Sequence, residues 1–393
     1  MKAVIAGGGI GGLCAALCFH KFGWDVEVLE QASAITEVGA GIQLSPNAVK
    51  VLRAIGVADA AGEQAFTPVA GQFRGGRSGK IIGSFSMGES MEQRLGAPYW
   101  HIHRADLIAA LEAAVRDRLA SAIRTGTPVI GYDQDGASAS VILEAGERIS
   151  GDVVVGADGI KSAIRAQMLG EAKPRFTGNV AWRAVVPVSK LGRHAPPPTA
   201  SVWVGEGKHA VTYLLRKGTL ANLVGVVERD DWTVESWTER GTKQEALRDF
   251  AGWHPTIRKI IDEADAHFRW ALFDRDPLDQ WCDGRVALLG DACHPMLPFM
   301  AQGAAMAIED GYTLASELSD ASQIDVAFAR YFGQRRDRTA KVQMGARSNM
   351  GTFHQRSLVG KLKTYAPIWL ASHIAPGKMD GRNDWLYGHD ATE

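Results

Sequence analysis

The chain has 393 residues, 46% hydrophobic and 22% charged, with 43 basic side chains against 44 acidic ones. That length admits about two or three domains, or one large α/β unit with an insertion, and the composition is that of a globular protein with a sizeable core. The near-neutral balance excludes a polybasic nucleic-acid or membrane-surface partner, and no apolar run approaches the ~18 residues of a membrane span. Cys14, Cys18, Cys282 and Cys293 form no C-x-x-C pair and no close framework. Neither a disulfide scaffold nor a metal site is expected. The N-terminus runs directly into a strand without a basic region and cleavage site, so no signal peptide is expected and the cytoplasm is the default location.

Ala3-Val4-Ile5-Ala6 is a short apolar run, as in a strand buried on both faces. Gly7-Gly8-Gly9-Ile10-Gly11-Gly12 follows at once, and Leu13 to Phe19 continues with helical spacing. Each glycine has a mechanical reason. Gly7 permits the tight turn, Gly9 lets backbone approach a pyrophosphate, and Gly12 lets the helix pack closely on the strand. Phosphates would then sit on the unpaired N–H groups of the helix N-terminus. A second strand over residues 25–29 ends at Glu30, about 20 residues beyond the glycines, where a carboxylate accepts hydrogen bonds from ribose hydroxyls. Gln31 follows with no adjacent arginine, which favours FAD or NAD over NADP at this site.

Gly39 to Asn47 is a glycine-punctuated stretch leading into a helix, and His103-Arg104-Ala105-Asp106-Leu107 opens another. Gly156-Ala157-Asp158-Gly159 lies mid-chain. Between about residues 170 and 273 the pattern becomes β-rich, with strands over 180–186, 201–204 and 220–227. With the region 69–85 they are expected to form one sheet. In Lys208 to Leu214, strand alternation places His209, Val211 and Tyr213 on one face. A half-buried pair on a sheet is the plain alternative to a catalytic one. Residues 286–289 read as a buried strand that puts Gly290-Asp291 at its C-terminal end, where α/β sheets bind ligands. Pro295 and Pro298 shape a rigid turn before a helix starting near Gly303-Ala304, whose positive end favours an anion. Beyond Ile308 the chain reads as helical through about residue 346, with Arg335 and Arg336 on a solvated face, and 361–370 as a segment for subunit packing or pocket closure.

This ordered set of segments closely resembles the class A flavoprotein aromatic hydroxylases. The resemblance is nearest to the branch holding salicylate hydroxylase, 3-hydroxybenzoate 6-hydroxylase and 6-hydroxynicotinate 3-monooxygenase. Asp384-Trp385-Leu386-Tyr387-Gly388 is also similar to that branch, so the likeness covers nearly the whole chain. It implies an α/β fold like that of para-hydroxybenzoate hydroxylase. A Rossmann-like FAD-binding domain would take 1–69, 98–172 and 274–346. An inserted β-rich substrate domain would take 70–97 and 173–273, and a helical C-terminal segment 347–393.

The resemblance also implies an activity. NADH or NADPH would reduce FAD, and dioxygen, through a flavin C4a-hydroperoxide, would hydroxylate a small hydroxylated aromatic or heteroaromatic acid. FAD contacts are expected at Gly7, Gly9, Ile10, Gly11, Gly12, Glu30, Gln31, Arg104, Val129, Asp158, Asp291, Pro295, Gly303 and Ala304. Substrate contacts are expected at Gln43, Trp182, Met296, Phe299 and Met300, and catalytic roles at His209 and Tyr213. Some relatives carry His where this chain has Gln43. His294 is expected to position backbone rather than react. No nucleic-acid or membrane partner is expected, and the assembly is a monomer or homodimer. The alternatives are an FAD-dependent dehydrogenase or reductase without oxygen insertion, and a non-catalytic flavin-binding sensor. A halogenase is disfavoured because the chain has no Trp-x-Trp-x-Ile-Pro segment.

Overall fold

The computed structural model describes residues 1–35, 40–229 and 241–393, so Gly39 lies outside the described residues. Lys2–Ala6 runs parallel to Asp25–Leu29 on one side and to Val153–Gly156 on the other, and Val286–Leu288 pairs with the latter. Ile123–Arg124 and the antiparallel Cys282–Asp283 complete the edges of a six-stranded sheet. Val153–Gly156 and Val286–Leu288 are buried throughout, as continuous apolar strands are when both faces are covered. The helix Ile10–Lys21 and a meander of Val129–Gln134, Ala139–Leu143 and Arg148–Gly151 pack against this sheet. Its register pairs Ala6 with Gly156 and Gly156 with Leu288. The three glycine-bearing segments therefore leave the sheet at one common edge.

A second sheet has seven strands, in the order Phe268–Asp274, Arg175–Pro187, Leu220–Glu228, Lys208–Leu215, Ala200–Gly205, Ala70–Gly75 and Ile81–Ser86. Period-two alternation divides its residues between two faces. Trp182, Ala184, Ala210, Leu214 and Leu223 pack with Phe250, Ile257 and Ile260, from the segment containing helices Lys243–Asp249 and Pro255–Glu263. The opposite face presents His209, Val211 and Tyr213 beside their cross-strand partners Val226, Val224 and Asn222. It looks toward the six-stranded sheet's ligand edge. A small ribbon of Gly41–Leu44 and Trp100–His103 lies at the junction.

The helix Gly303–Asp320 packs against Ile10–Lys21, and Gly311 lets the two backbones approach, since a Cβ there would stand 3.1 Å from backbone atoms of Ala15. The next helix runs from Ile324 to Phe353, several residues further than the sequence pattern suggested. It also corrects the solvated-face reading for Arg335. That guanidinium is fully buried, with Nε 2.8 Å from Asp310 Oδ1 and Nη1 bonded to Glu309. Two buried carboxylates on the facing helix supply the compensation that a buried cation requires. Leu358–Ile374 then lies along Ile81–Ser86, where Ser84 N donates to Ser372 Oγ at 3.0 Å. Among the described residues, no helix is long and apolar enough to cross a membrane.

Candidate active site

At the shared strand edge, the first turn is shaped by two steric facts. Gly7 has φ +111°, and a Cβ on Gly12 would stand 1.9 Å from Gly7 O. Gly7 and Gly12 thus close the turn on itself, whereas a Cβ on Gly9 would meet nothing within 4 Å. The helix Ile10–Lys21 has no side-chain cap, so its first N–H groups are left for a ligand. Glu30 buttresses the loop: Oε2 accepts from Gly8 N and Oε1 from Ala32 N, both at 2.8 Å.

A cavity of about 300 Å³ opens between this edge and the second sheet. Gly9, Ile10, Gly11, Arg104, Asp291, Gly303 and Ala304 line one side. Asp291 opens to the cavity yet lies deep in the protein, and that burial pushes its carboxyl up, with His294 and Arg104 pulling it partly back. The Gly303 helix begins where the sequence placed it, again without a side-chain cap. The loop before it is pinned from behind. Asp310 Oδ2 accepts from Gly290 N at 2.9 Å and meets His294 Nε2 at 2.5 Å. Burial opposes ionisation of Asp310, but His294 and Arg335 outweigh it and hold the carboxyl at about 2. His294 thus meets the carboxylate that holds the backbone N–H of Gly290.

The sheet side of the cavity carries His209, Val211, Tyr213, Val224, Val226 and Arg183, and the loops contribute Gln43, Met296, Leu297 and Phe299. Tyr213 occupies the space that a side chain at Gly41 would need: a Cβ there would stand 2.5 Å from Tyr213 Cε2. Burial raises the Tyr213 phenol, and Arg183 opposes that rise. Gln43 Oε1 accepts from Tyr99 OH at 2.7 Å, which fixes the amide. His209 is 1% exposed, with its ring edge-on to Phe299. Burial, and then the neighbouring His354, drives its pKa well below the usual histidine range, so the ring is neutral near pH 7.

Several expected contacts do not line this cavity. Gly7 and Gly12 shape the turn, while Glu30, Gln31, Val129 and Pro295 lie outside the lining. Asp158 sits beside it, between the lining residues Ala157 and Gly159. Its Oδ2 accepts from Ala163 N at 2.8 Å, and among the described residues its buried Oδ1 has no hydrogen-bond partner. Trp182 requires a correction. Its indole is on the opposite face of the sheet, where Nε1 donates to Asp249 Oδ2 at 2.7 Å. Strand alternation gives the cavity to Arg183 instead. Met300 is corrected likewise: its sulfur turns toward Gly345 of the long helix, while Phe299 faces the cavity. Sequence reasoning also missed Asn222, whose Oδ1 accepts from Gly41 N at 2.9 Å, and Gln302, whose Nε2 donates to Ser45 Oγ at 2.8 Å. Their cross-strand and cross-loop placement left no local signal.

The glycine cradle, two uncapped helix N-termini and an acid that opens to the cavity, all on one wall, fit a flavin dinucleotide. Comparison with known proteins agrees. The family described as FAD binding domain matches residues 1–344. The chain is 37% identical over 390 residues to a 3-hydroxybenzoate 6-hydroxylase of Polaromonas naphthalenivorans, covering 99% of this chain and 96% of that one. This chain belongs to the FAD-dependent aromatic hydroxylases. A 6-hydroxynicotinate 3-monooxygenase of Pseudomonas fluorescens is 37% identical over 354 residues, 88% of this chain and 91% of its own. Klebsiella pneumoniae HpxO, crystallised with FAD and uric acid, superposes with a TM-score of 0.84 at 28% identity, over 94% of this chain and 92% of that one. The hydroxylase family fixes the cofactor as FAD and the enzyme class as flavoprotein monooxygenase. It supports oxygen insertion over the dehydrogenase and sensor alternatives.

Proposed function

We propose that this enzyme consumes NADH or NADPH and dioxygen to hydroxylate a small aromatic or heteroaromatic acid that already bears a hydroxyl group, of the salicylate or 6-hydroxynicotinate kind. The observation that carries this reading is the chemistry of the two cavity walls. One wall has glycine backbone, helix N-termini, Arg104 and Asp291; the other has a neutral histidine, a tyrosine and a cation.

Bound FAD supplies the redox and oxygen-activating chemistry. Gly9, Ile10, Gly11, Arg104 and Asp291 would hold it, with the Gly303 helix offering its positive end to negative charge. Oxygen transfer to an aromatic ring is electrophilic, so ionising the ring hydroxyl activates the substrate. His209 accepts that proton, and Tyr213 lies two positions beyond Val211 on the same face to help hold the oxygen. Arg183 suits the substrate's carboxylate. Val211, Val224, Val226 and Phe299 keep the ring's surroundings apolar and exclude water. The names of the two relatives support this substrate class.

A panel of hydroxybenzoic and hydroxypyridine acids, scored for stimulated NADH and NADPH oxidation, tests the proposal. At least one member should accelerate oxidation strongly above the substrate-free rate. Uniform, unstimulated oxidation across the panel would contradict it.

A further inference from the structure

One chain of titratable groups leads out of the cavity, and the activity described so far uses only its inner end. His209 Nδ1 lies 2.7 Å from His354 Nε2, and His354 Nδ1 lies 2.8 Å from Glu228 Oε1. The side chains of His354 and Glu228 are 3% and 33% exposed, so the series runs from the buried His209 to the surface. The three residues come from different elements: the strand Lys208–Leu215, the C-terminal end of the helix Ile324–Phe353, and the last position of Leu220–Glu228. Phe299 and Phe353 flank the His209 ring, each with a centroid 4.9 Å away. Among the described residues, the His209 imidazole has no other hydrogen-bond partner.

We propose that His354 and Glu228 carry the substrate's hydroxyl proton from His209 to solvent. The proposal rests on the reading of His209 as the acceptor of that proton. The outer carboxylate decides the resting arrangement. A carboxylate only accepts, so His354 must donate from Nδ1, which leaves its Nε2 as an acceptor. His209 must then donate from Nδ1, and its Nε2 keeps a lone pair for the cavity. When the substrate O–H bond breaks, a new N–H bond forms at His209 Nε2. The Nδ1 proton of His209 moves to His354 Nε2, that of His354 moves to Glu228, and the carboxyl releases a proton to water. One proton leaves, no electrons move, and reverse passage to the product's oxygen before release restores both rings.

Energetics favour transfer over storage. Burial makes a charged His209 costly, as its depressed pKa shows. Burial also depresses His354, although Glu228 opposes that shift. The helix C-terminus beside His354 favours transient positive charge there. Glu228 is held below the usual carboxylate range: burial opposes its ionisation, and hydrogen bonds from Arg356 and His354 outweigh it. Among the described residues, the charged group outside the series that acts on it is Arg356, beside Glu228 and His354.

The test uses the FAD-loaded enzyme with its best panel substrate, comparing the parent with His209→Gln, His354→Phe, Glu228→Gln and Glu228→Asp. The readouts are kcat, KM and the pH profile of kcat. Blocking the outer relay should lower kcat about tenfold or more in His354→Phe and Glu228→Gln. Both should retain FAD and near-parent KM, and show a displaced pH profile. Glu228→Asp should recover most of the rate. Glu228 is partly exposed, so its variants stay informative even if His354→Phe folds poorly. If His209→Gln is impaired while Glu228→Gln keeps the parent's kcat and pH profile, the relay is overturned and His209 stands as the base. If His209→Gln matches the parent, the reading of His209 itself fails.

Discussion

The ring of Phe299 meets the imidazole of His209 edge-on, with centroids 4.9 Å apart. This contact joins the loop that follows Asp291 to the centre of the seven-stranded sheet. The loop after Asp291 and the seven-stranded sheet therefore meet at this histidine on the cavity wall.

Replacing His209 by Gln should separate chemistry from cofactor binding. The side chain lines the sheet side, away from the glycine cradle. Hydroxylation near pH 7 should fall by roughly 10²–10⁴, the usual contribution of a positioned base, while bound flavin stays at the parent's level. Product formation and flavin absorbance on the same preparation check both halves.

Gly12→Ala should do the reverse. Its Cβ would stand 1.9 Å from the carbonyl oxygen of Gly7, and neither backbone can give way without reopening the turn. The purified variant should lose most of its bound FAD, and added FAD should raise its Tm less than it raises the parent's.

Trp182→Phe tests the placement of that indole behind the sheet. The substitution removes the hydrogen bond to Asp249 and leaves a small void among the residues of the outer core. Stability should drop by about 1–3 kcal/mol while KM for the aromatic substrate stays unchanged. Urea titration and steady-state kinetics measure the two effects. Arg183→Gln, one residue along, should instead raise KM.

Acid stability should depend on His101. It is fully buried against Tyr213, and burial lowers its pKa to about 3. In the unfolded chain the same ring titrates near 6.5, so between those values the unfolded state binds the extra proton. Stability from this group is complete above the unfolded value and is lost as pH falls below it, at about 1.4 kcal/mol per pH unit. His101→Phe should therefore flatten the dependence of ΔG on pH between about 6 and 4, as read from denaturant curves.

The nucleotide half was legible because its information is local. Strand, glycine turn and helix are consecutive from Ala3 to Phe19, and Gly7 and Gly12 answer close backbone contacts at the neighbouring strand end and within that stretch. The common face of His209 and Tyr213 was legible for the same reason, since alternation along one strand fixes it, whereas a catalytic role for them was only implied by the family resemblance. Trp182 and Arg183 show where that logic stops. Alternation says that they oppose each other, but only pairing with Gly225 and Val224 decides which one meets the cavity. His354 stands 145 residues from His209, and Arg335 is buried only because Glu309 and Asp310 face it from another helix. Such pairings are set by tertiary packing and leave no periodic trace.

The central claim is oxygen insertion into an aromatic acid held beside the flavin. Its most direct measurement is turnover of the best panel substrate under isotopically labelled dioxygen, with product mass determined. The product should carry one labelled oxygen atom per NAD(P)H consumed. A product that gains no label, or that differs from the substrate only in hydrogens, would contradict it.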